Sequence, residues 1–151
     1  MSKLFEEAGK IEDNHLHQFL KRFKYVKKIV CTKGNIVYDA IINDNIIVEV
    51  KVRNVSNFVY RLIQKEGLIL EKSKHDNLLR TKERLQMKKV LYVNFFPTQN
   101  MIYLFNIEDI TLNLSEKYMN GVTYSAGNNK IKKKIYLLDL EESKQYLINE
   151  D

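Results

Sequence analysis

The chain has little of what several common classes of functional site require. Cys31 is the only cysteine in 151 residues, which excludes an intramolecular disulfide framework and is typical of a reducing cytoplasm. With one cysteine and three histidines, no zinc-binding set can be recognised. No loop resembles the glycine-rich segments that cradle phosphates. No apolar run approaches the roughly 20 residues of a membrane span, so we expect no membrane association.

What the chain does have is apolar residues for one domain and an excess of positive charge. Hydrophobic residues make up 44% of the sequence, which indicates a globular protein, and its length predicts one domain over residues 1–151. The net charge is +6, with basic clusters at 21–28, 72–84 and 130–134. Phosphate contacts supply most non-specific affinity for nucleic acid, so DNA is the expected partner. A basic surface could also bind an acidic protein.

Residues 36–53 are the most informative stretch. Two apolar, β-branched runs flank a polar Asn-Asp-Asn turn at 43–45, a pattern that predicts an antiparallel hairpin. Asp39, Glu49 and Lys51 are set into these runs. Charges inside apolar strands are costly unless they are paired or bind a metal, so the hairpin is a candidate active site.

The register of the hairpin decides whether the charges meet. If the turn is centred on Asp44, paired residues have numbers that sum to 88, and Asp39 faces Glu49. A turn shifted by half a register would instead give Asp39 the partner Val48 or Val50. Directly opposed residues have Cβ atoms roughly 4.5–5.5 Å apart. Two carboxylates at that separation repel each other unless a cation lies between them.

The three residues suit metal-assisted hydrolysis of a phosphodiester. Glu49 and Lys51 share a strand face, so two hard oxygen ligands and one ammonium converge. Mg²⁺ takes such carboxylates together with waters and a substrate phosphate, and a bound metal lowers the pKa of water. The lysine can offset negative charge in the transition state. The alternative is a solvated sheet face with an ordinary ion pair.

The same residues resemble the PD-(D/E)XK nuclease superfamily, which has the restriction-endonuclease-like fold. Asp39, a hairpin-length gap and then Glu49-Val50-Lys51 match its pattern, although Tyr38 stands where the name of the superfamily has proline. The resemblance implies that Asp39 and Glu49 hold Mg²⁺ or Mn²⁺ and that Lys51 assists the attacking water. It is closest to small phage, mobile-element or resolvase-like members, which act on foreign or branched DNA.

The predicted order of elements agrees with this resemblance. We expect an α/β fold with the restriction-endonuclease-like core, in the order α-β-β-β-α-β-β, in which helices flank a mixed central sheet. The expected elements are a helix at 4–23 that begins after Ser2 as its N-cap, a strand at 25–33, the hairpin, a connector or short helix at 55–61, a helix at 67–86, strands at 89–96, 101–107 and 130–139, and a short closing helix at 140–148. The inward residues expected of the 67–86 helix are Ile69, Leu70, Leu78, Leu79 and Leu85.

The resemblance also implies residues from the flanking helices. The helix after the Glu-x-Lys strand often supplies a polar residue, and Lys74 is the candidate for a second catalytic or phosphate-binding lysine. Glu71 lies three residues before it on the same predicted helix face, so a surface ion pair is the alternative. Many resolvase-like members place a glutamate of the first helix at the metal. Glu12 is the candidate here, and Glu7 competes with it.

Nucleic-acid contacts are expected from Arg53, Lys72 and Lys130. The segment 118–134 is rich in turn formers, tyrosine and amides, and it reads as a loop that could stack on bases or simply lie on the surface. The function predicted is a Mg²⁺-dependent endodeoxyribonuclease, acting as a homodimer if it cuts both strands. A catalytically inactive DNA-binding protein of the same fold and a basic interaction protein remain as alternatives.

Overall fold

The computed structural model describes residues 3–32, 36–120 and 130–150, without the side chains of 3–8, 120 and 130. Within these ranges, three helices and nine strands are present. They are α1 (Lys3–Leu20), β1 (Ile29–Cys31), β2 (Ala40–Ile42), β3 (Ile46–Val52), α2 (Asn57–Glu66), β4 (Leu68–Glu71), α3 (Lys72–Arg84), β5 (Lys89–Phe96), β6 (Met101–Asn106), β7 (Asn113–Asn120), β8 (Lys130–Leu138) and β9 (Lys144–Leu147), with a 3₁₀ turn at Leu140–Glu142.

The strands form two sheets. Six of them make a mixed sheet in the order β1-β2-β3-β5-β6-β9, in which β3 and β5 run parallel and the other neighbours are antiparallel. The other three make an antiparallel sheet in the order β4-β8-β7. The expected α/β class with a mixed, multi-stranded sheet is therefore confirmed. No helix within the described ranges is long and apolar enough to cross a membrane.

The β2–β3 hairpin has the predicted register. Asn43 and Asp44 adopt left-handed backbone conformations, with φ of 52° and 61°, which these residue types tolerate. The side-chain carbonyl of Asn43 also accepts hydrogen bonds from the backbone amides of Lys27 and Lys28 at 2.7 and 3.0 Å. With the turn fixed in this way, Ala40 pairs with Val48, so the residue numbers sum to 88.

The two faces of the large sheet are covered differently. Alternation along β3 and β5 sends one set of apolar side chains to each face. Helix α1 packs on one face through Leu16, Phe19 and Leu20. Helix α3 and the three-stranded sheet cover the other face, and the residues buried there include Ile47, Leu70, Leu78, Tyr92, Tyr136 and Leu138. The central strands are thus buried on both sides, and a charge placed on them is removed from water.

The prediction of a helix at 67–86 is wrong for the residues before Lys72. Residues Leu68–Glu71 form β4, which pairs with Ile135–Leu138 of β8, so Ile69 and Leu70 lie on a strand. Gly67, which caps α2 just before this strand, has a φ of 111°, and a Cβ there would lie 3.1 Å from the Cβ of Leu137. The helix begins only at Lys72. A partner strand distant in sequence, which periodicity cannot reveal, stabilises the extended form.

Three further segments also differ from expectation. Residues 140–148 contain a single 3₁₀ turn and then β9, which pairs with the edge of β6, where the sequence predicted a closing helix. Both ends of the predicted 118–134 loop belong to the paired strands β7 and β8, and residues 121–129 lie outside the described ranges. The strand predicted at 25–33 is paired only over Ile29–Cys31. Ser2, the expected N-cap of the first helix, also lies outside the described residues.

Candidate active site

Asp39 is fixed against β3 by its backbone and its carboxylate. It lies one residue before β2, and its backbone N–H donates to the carbonyl of Val48 at 2.9 Å. The backbone N–H of Val50 donates to Oδ2 of Asp39 at 2.7 Å. Glu49 lies between these two contacts, so the Asp39 carboxylate lies beside Glu49. The paired residues of the hairpin end at Ala40 and Val48, and the predicted pairing of Asp39 with Glu49 is not among them.

Glu49 is the most unusual side chain of the hairpin. It is only 3% exposed, on the sheet face covered by α3. Its Oε1 lies 3.3 Å from Nζ of Lys74, and its Oε2 has no hydrogen-bond partner among the described residues. Burial raises the pKa of Glu49 to about 7, and the nearby charge of Asp39 acts in the same direction. A buried carboxylate oxygen without a partner is costly, so this oxygen is available to a ligand.

Two lysines oppose the effect of burial on Glu49. Lys74 of α3 is held between the Glu49 carboxylate and the carbonyl of Val37, to which it donates at 3.1 Å. Lys51 follows two residues after Glu49 on β3, and its side chain is exposed. Both ammonium groups lower the pKa of Glu49 from the value that burial alone would give. The structure thus brings Lys51 and Lys74 to the same carboxylate.

Helix α1 brings a third carboxylate within electrostatic reach. Glu12 is half-buried, and burial raises its pKa to about 7, with the charge of Asp39 as the next cause. Lys51 and Lys74 oppose this rise. Glu12 therefore belongs to the same charged cluster as Asp39 and Glu49. The side chain of Glu7, its competitor, lies outside the described residues.

The cluster has the chemistry of a divalent-cation site. No group of three or more histidine, cysteine, aspartate and glutamate side chains within the described ranges has the spacing of a complete metal-binding set. Mg²⁺, however, commonly takes only one or two carboxylates and completes its shell with waters and substrate phosphates. Asp39 and the neighbouring Glu49, which has one buried oxygen without a partner among the described residues, are hard oxygen donors that fit such an ion.

The other two predicted DNA contacts are Lys72 and Lys130. Lys72 pairs with Asp76 one turn along α3, so its charge is already engaged. The side chain of Lys130 lies outside the described residues. The prediction that Glu71 and Lys74 share a helix face is wrong, because Glu71 is the last residue of β4 and pairs with Lys133 of β8 at 2.8 Å. Because Glu71 pairs with Lys133, Lys74 pairs with Glu49 instead.

Two residues of β5, Tyr92 and Asn94, support the site and were not predicted from the sequence. Arg53, predicted as a direct DNA contact, donates from Nε to Oδ1 of Asn94 at 2.8 Å and from Nη2 to the hydroxyl of Tyr92 at 2.7 Å. Asn94 lies directly across from Lys51 in the β3–β5 pairing. The signal was present in the sequence, because Asn94 is the one amide inside an otherwise apolar strand.

Cys31 is not suited to nucleophilic chemistry. Its Sγ lies 3.4 Å from Nε2 of His17, and burial, with a further contribution from Asp13, raises the pKa of the thiol to about 11. The thiol therefore stays protonated near neutral pH, and a protonated thiol is a poor nucleophile.

The carboxylates and lysines described above come from α1, the β2–β3 hairpin and α3. Comparison with known proteins adds no assignment to this arrangement. The sequence matches no protein-family model and no curated protein, and the fold matches no solved structure.

Proposed function

We propose that the protein is a metal-dependent endodeoxyribonuclease that hydrolyses phosphodiester bonds of DNA. The observation that carries the proposal is Glu49, a carboxylate that is 3% exposed, lies within electrostatic reach of Asp39 and has one oxygen without a partner among the described residues. Two neighbouring carboxylates, one of them buried, repel each other, and a bound cation makes their proximity favourable. Lysines on two sides of the pair suit a phosphate substrate.

The order of elements supports a restriction-endonuclease-like core. Helix α1, the antiparallel hairpin β2–β3 and the parallel pair β3–β5 follow the arrangement expected from the resemblance. Helix α2 and strand β4 are additional, and they lie between the Glu-x-Lys strand and α3. Lys74 therefore comes from the second helix after that strand, and it still contacts Glu49.

Each residue of the cluster has a defined task in the proposed hydrolysis. Asp39 and Glu49 would hold Mg²⁺ or Mn²⁺, and Glu12 would add a third carboxylate. The bound ion would supply Lewis acidity towards the phosphoryl oxygen and the water. Lys74 favours the ionised form of Glu49, because its charge opposes the effect of burial. Lys51, which is exposed beside the pair, orients the water and offsets charge in the transition state.

The reaction is the addition of water across one P–O bond. The water oxygen bonds to phosphorus, the bond from phosphorus to the 3′ oxygen breaks, and the departing oxygen takes up a proton. The products would be 5′-phosphate and 3′-hydroxyl ends, as the family resemblance implies. Cutting both strands of a duplex needs two active centres, which a homodimer would provide.

A cleavage assay with matched variants tests the proposal. Plasmid and branched DNA are incubated with Mg²⁺, Mn²⁺ or EDTA, beside Asp39→Asn and Lys51→Met. Asp44→Asn is the control, since Asp44 lies in the same hairpin and its one ion pair among the described residues is with the exposed Lys28. We expect metal-dependent cutting that is lost in the first two variants and kept in the control.

Two results would contradict the nuclease. DNA binding without cutting under every metal condition would instead favour an inactive binding protein of this fold. Absence of any DNA binding would favour a basic protein with an acidic protein partner.

A further inference from the structure

A small basic pocket lies next to the Asp39–Glu49 pair. It has a volume of about 180 Å³ and is lined by residues of β3, β4, β5, β7 and α3. Its polar lining consists of Lys51, Arg53, Glu71, Lys74 and Tyr92, and Met119 of β7 forms part of the wall. Pockets for drug-sized ligands start at roughly 300 Å³, so this one suits a smaller group.

The charges of the pocket favour an anion. Lys51, Arg53 and Lys74 contribute three cations, and Glu71 is the one acid in the lining. The Glu71 carboxylate is already paired with Lys133 at 2.8 Å, so it does not neutralise the cations of the pocket. Only Lys74 among these cations has a carboxylate within 4.0 Å among the described residues, and that partner is Glu49.

Among the described residues, Arg53 is held in place by neutral groups alone. Its guanidinium donates to Oδ1 of Asn94 at 2.8 Å, to the hydroxyl of Tyr92 at 2.7 Å and to the carbonyl of Ile69 at 3.3 Å. Its Nη1 makes no hydrogen bond within the described part of the chain. A half-buried cation with neutral partners has lost part of its hydration without gaining an opposite charge. A bound anion would supply the opposite charge that Arg53 lacks among the described residues.

The surroundings also fix the direction of the guanidinium. Tyr92 and Asn94 are 1% and 0% exposed, so the groups that hold Arg53 are themselves rigid parts of the core. A guanidinium fixed in this way presents its free edge at a constant angle, and its planar fork matches the oxygens of a phosphate. Two residues along a strand span roughly 6.6 Å, which separates Arg53 from Lys51 by about the distance between successive phosphates of a nucleic-acid strand.

We propose that this pocket is a phosphate subsite anchored by Arg53, which holds the phosphate next to the one that is cut. The inference rests on the proposed nuclease function and adds the position of the substrate strand, which runs along β3 from Lys51 to Arg53. The phosphate could be an internal phosphodiester or the 5′-terminal phosphate of a DNA end. The chemistry is the same in both cases, and the source is left to experiment.

Binding measurements in EDTA separate this subsite from catalysis. Fluorescence anisotropy is recorded at low salt with three probes: a duplex closed by loops at both ends, a linear duplex with 5′-phosphates and the same duplex with 5′-hydroxyls. The full-length protein is compared with Arg53→Gln. Arg22→Gln is the matched control, because Arg22 is also a half-buried guanidinium bound to backbone carbonyls, and it lies over the ring of Phe19 in the core on the α1 side of the large sheet. Arg22 also pairs with the exposed Glu150 at 3.5 Å.

We expect Arg53→Gln to lower the association constant for DNA about tenfold. The fall of log K with log salt should also become less steep, by the amount that corresponds to about one phosphate contact. Arg22→Gln should change neither quantity. An equal loss on the closed and linear probes identifies an internal phosphodiester. A loss confined to the 5′-phosphorylated probe identifies a terminal phosphate. Arg53→Gln with wild-type affinity and salt slope on all three probes would overturn the subsite.

A second pair of variants covers the case in which Arg53→Gln does not fold. Met119→Glu places a carboxylate in the pocket wall without touching the groups that hold Arg53, and Met119→Gln has nearly the same shape without the charge. Only Met119→Glu should weaken binding, and equal binding by both variants would contradict the inference. Cleavage is assayed separately. DNA binding that depends on Arg53, without any cleavage, supports the subsite and refutes the nuclease. Cleavage that is unchanged by the substitutions at Arg53 and Met119 refutes the subsite but not the nuclease.

Discussion

The hairpins β2–β3 and β7–β8 carry the same types of charged residue with opposite consequences. In the second hairpin, Glu116 pairs with Lys132 across the strands at 2.8 Å, and both side chains are about half exposed, at 49% and 54%. The hydrogen bond from Lys132 lowers the pKa of Glu116. In the first hairpin, Glu49 is 3% exposed and burial raises its pKa to about 7.

The difference comes from the positions of the strands. Strand β3 lies between β2 and β5, with α1 on one face of the sheet and α3 on the other, so a carboxylate on it is removed from water. Strand β7 is at the edge of the three-stranded sheet, where water solvates the charges. An exposed pair of this type contributes little to stability, whereas a buried acid must be matched by a specific partner. Burial therefore distinguishes a candidate site from a surface ion pair.

The largest expected difference between the hairpins is in catalysis. Glu49→Gln should lower the rate of Mg²⁺-dependent DNA cleavage by at least about 10³-fold, or roughly 4 kcal/mol, because one of the proposed metal ligands loses its charge. Glu116→Gln, which makes the same chemical change, should leave the rate within about twofold. Single-turnover cleavage of a labelled duplex measures both. Equal rates for the two variants would remove the distinction between the hairpins.

The β2–β3 hairpin could be predicted from sequence because its determinants are local. An Asn-Asp-Asn turn fixes the register, and the register fixes which residues face each other. Strand β5 was predictable as a continuous apolar run, which is typical of a strand buried on both faces. The pairing of Ala40 with Val48 therefore followed from counting residues, and Asp39 lies one residue beyond the paired strands, beside Glu49.

Elements that depend on distant partners could not be predicted in the same way. Strand β4 had the composition of a helix start, and it is extended because β8 pairs with it from more than 60 residues away. Strand β9 is paired in the same manner with β6. The network of Arg53, Tyr92 and Asn94 needs two strands in parallel contact, and spacing along one strand cannot reveal it.

A smaller effect is expected from the lysine that neutralises Glu49. Lys74→Met should reduce cleavage about 10- to 100-fold at neutral pH and move the rising limb of the pH–rate profile to higher pH, because the pKa of Glu49 rises when the ammonium is lost. Lys82→Met is the control, since Lys82 lies on the same helix and pairs with Glu108 at 2.8 Å, away from the site. An unshifted profile in Lys74→Met would show that Lys74 does not control Glu49.

The two hairpins should also differ in how they link stability to pH. The pKa of Glu49 is about 7 in the folded protein and near 4.5 in the unfolded chain, so the folded state binds more protons between these values. The free energy of unfolding of the metal-free protein should therefore fall as the pH rises from 5 to 7.5, by about 2 kcal/mol from this group. Glu49→Gln should remove that fall.

Urea unfolding at several pH values, without metal, measures this linkage. The overall charge of the protein also changes with pH, so the informative quantity is the difference between wild type and each variant. Glu116→Gln should follow the wild-type curve over this range, because the pKa of Glu116 is lowered and its titration lies at more acidic pH. A fall in stability that persists in Glu49→Gln would assign the linkage to another group, with half-buried Glu12 as the next candidate.

The smallest expected effect is stabilisation by the metal itself. A ligand that binds only the folded state adds RT ln(1 + [L]/Kd), so 10 mM Mg²⁺ at a site with a Kd of about 2 mM would add about 1 kcal/mol, or roughly 2–4 °C in melting temperature. This shift should appear at pH 7.5, vanish near pH 5.5 where Glu49 is protonated, and be absent in Asp39→Asn and Glu49→Gln. Glu116→Gln should keep it, with NaCl at matched ionic strength as the reference. An equal shift in Glu49→Gln would mean that Mg²⁺ binds to exposed acids such as those of the second hairpin, and the comparison between the two hairpins would then lose its chemical basis.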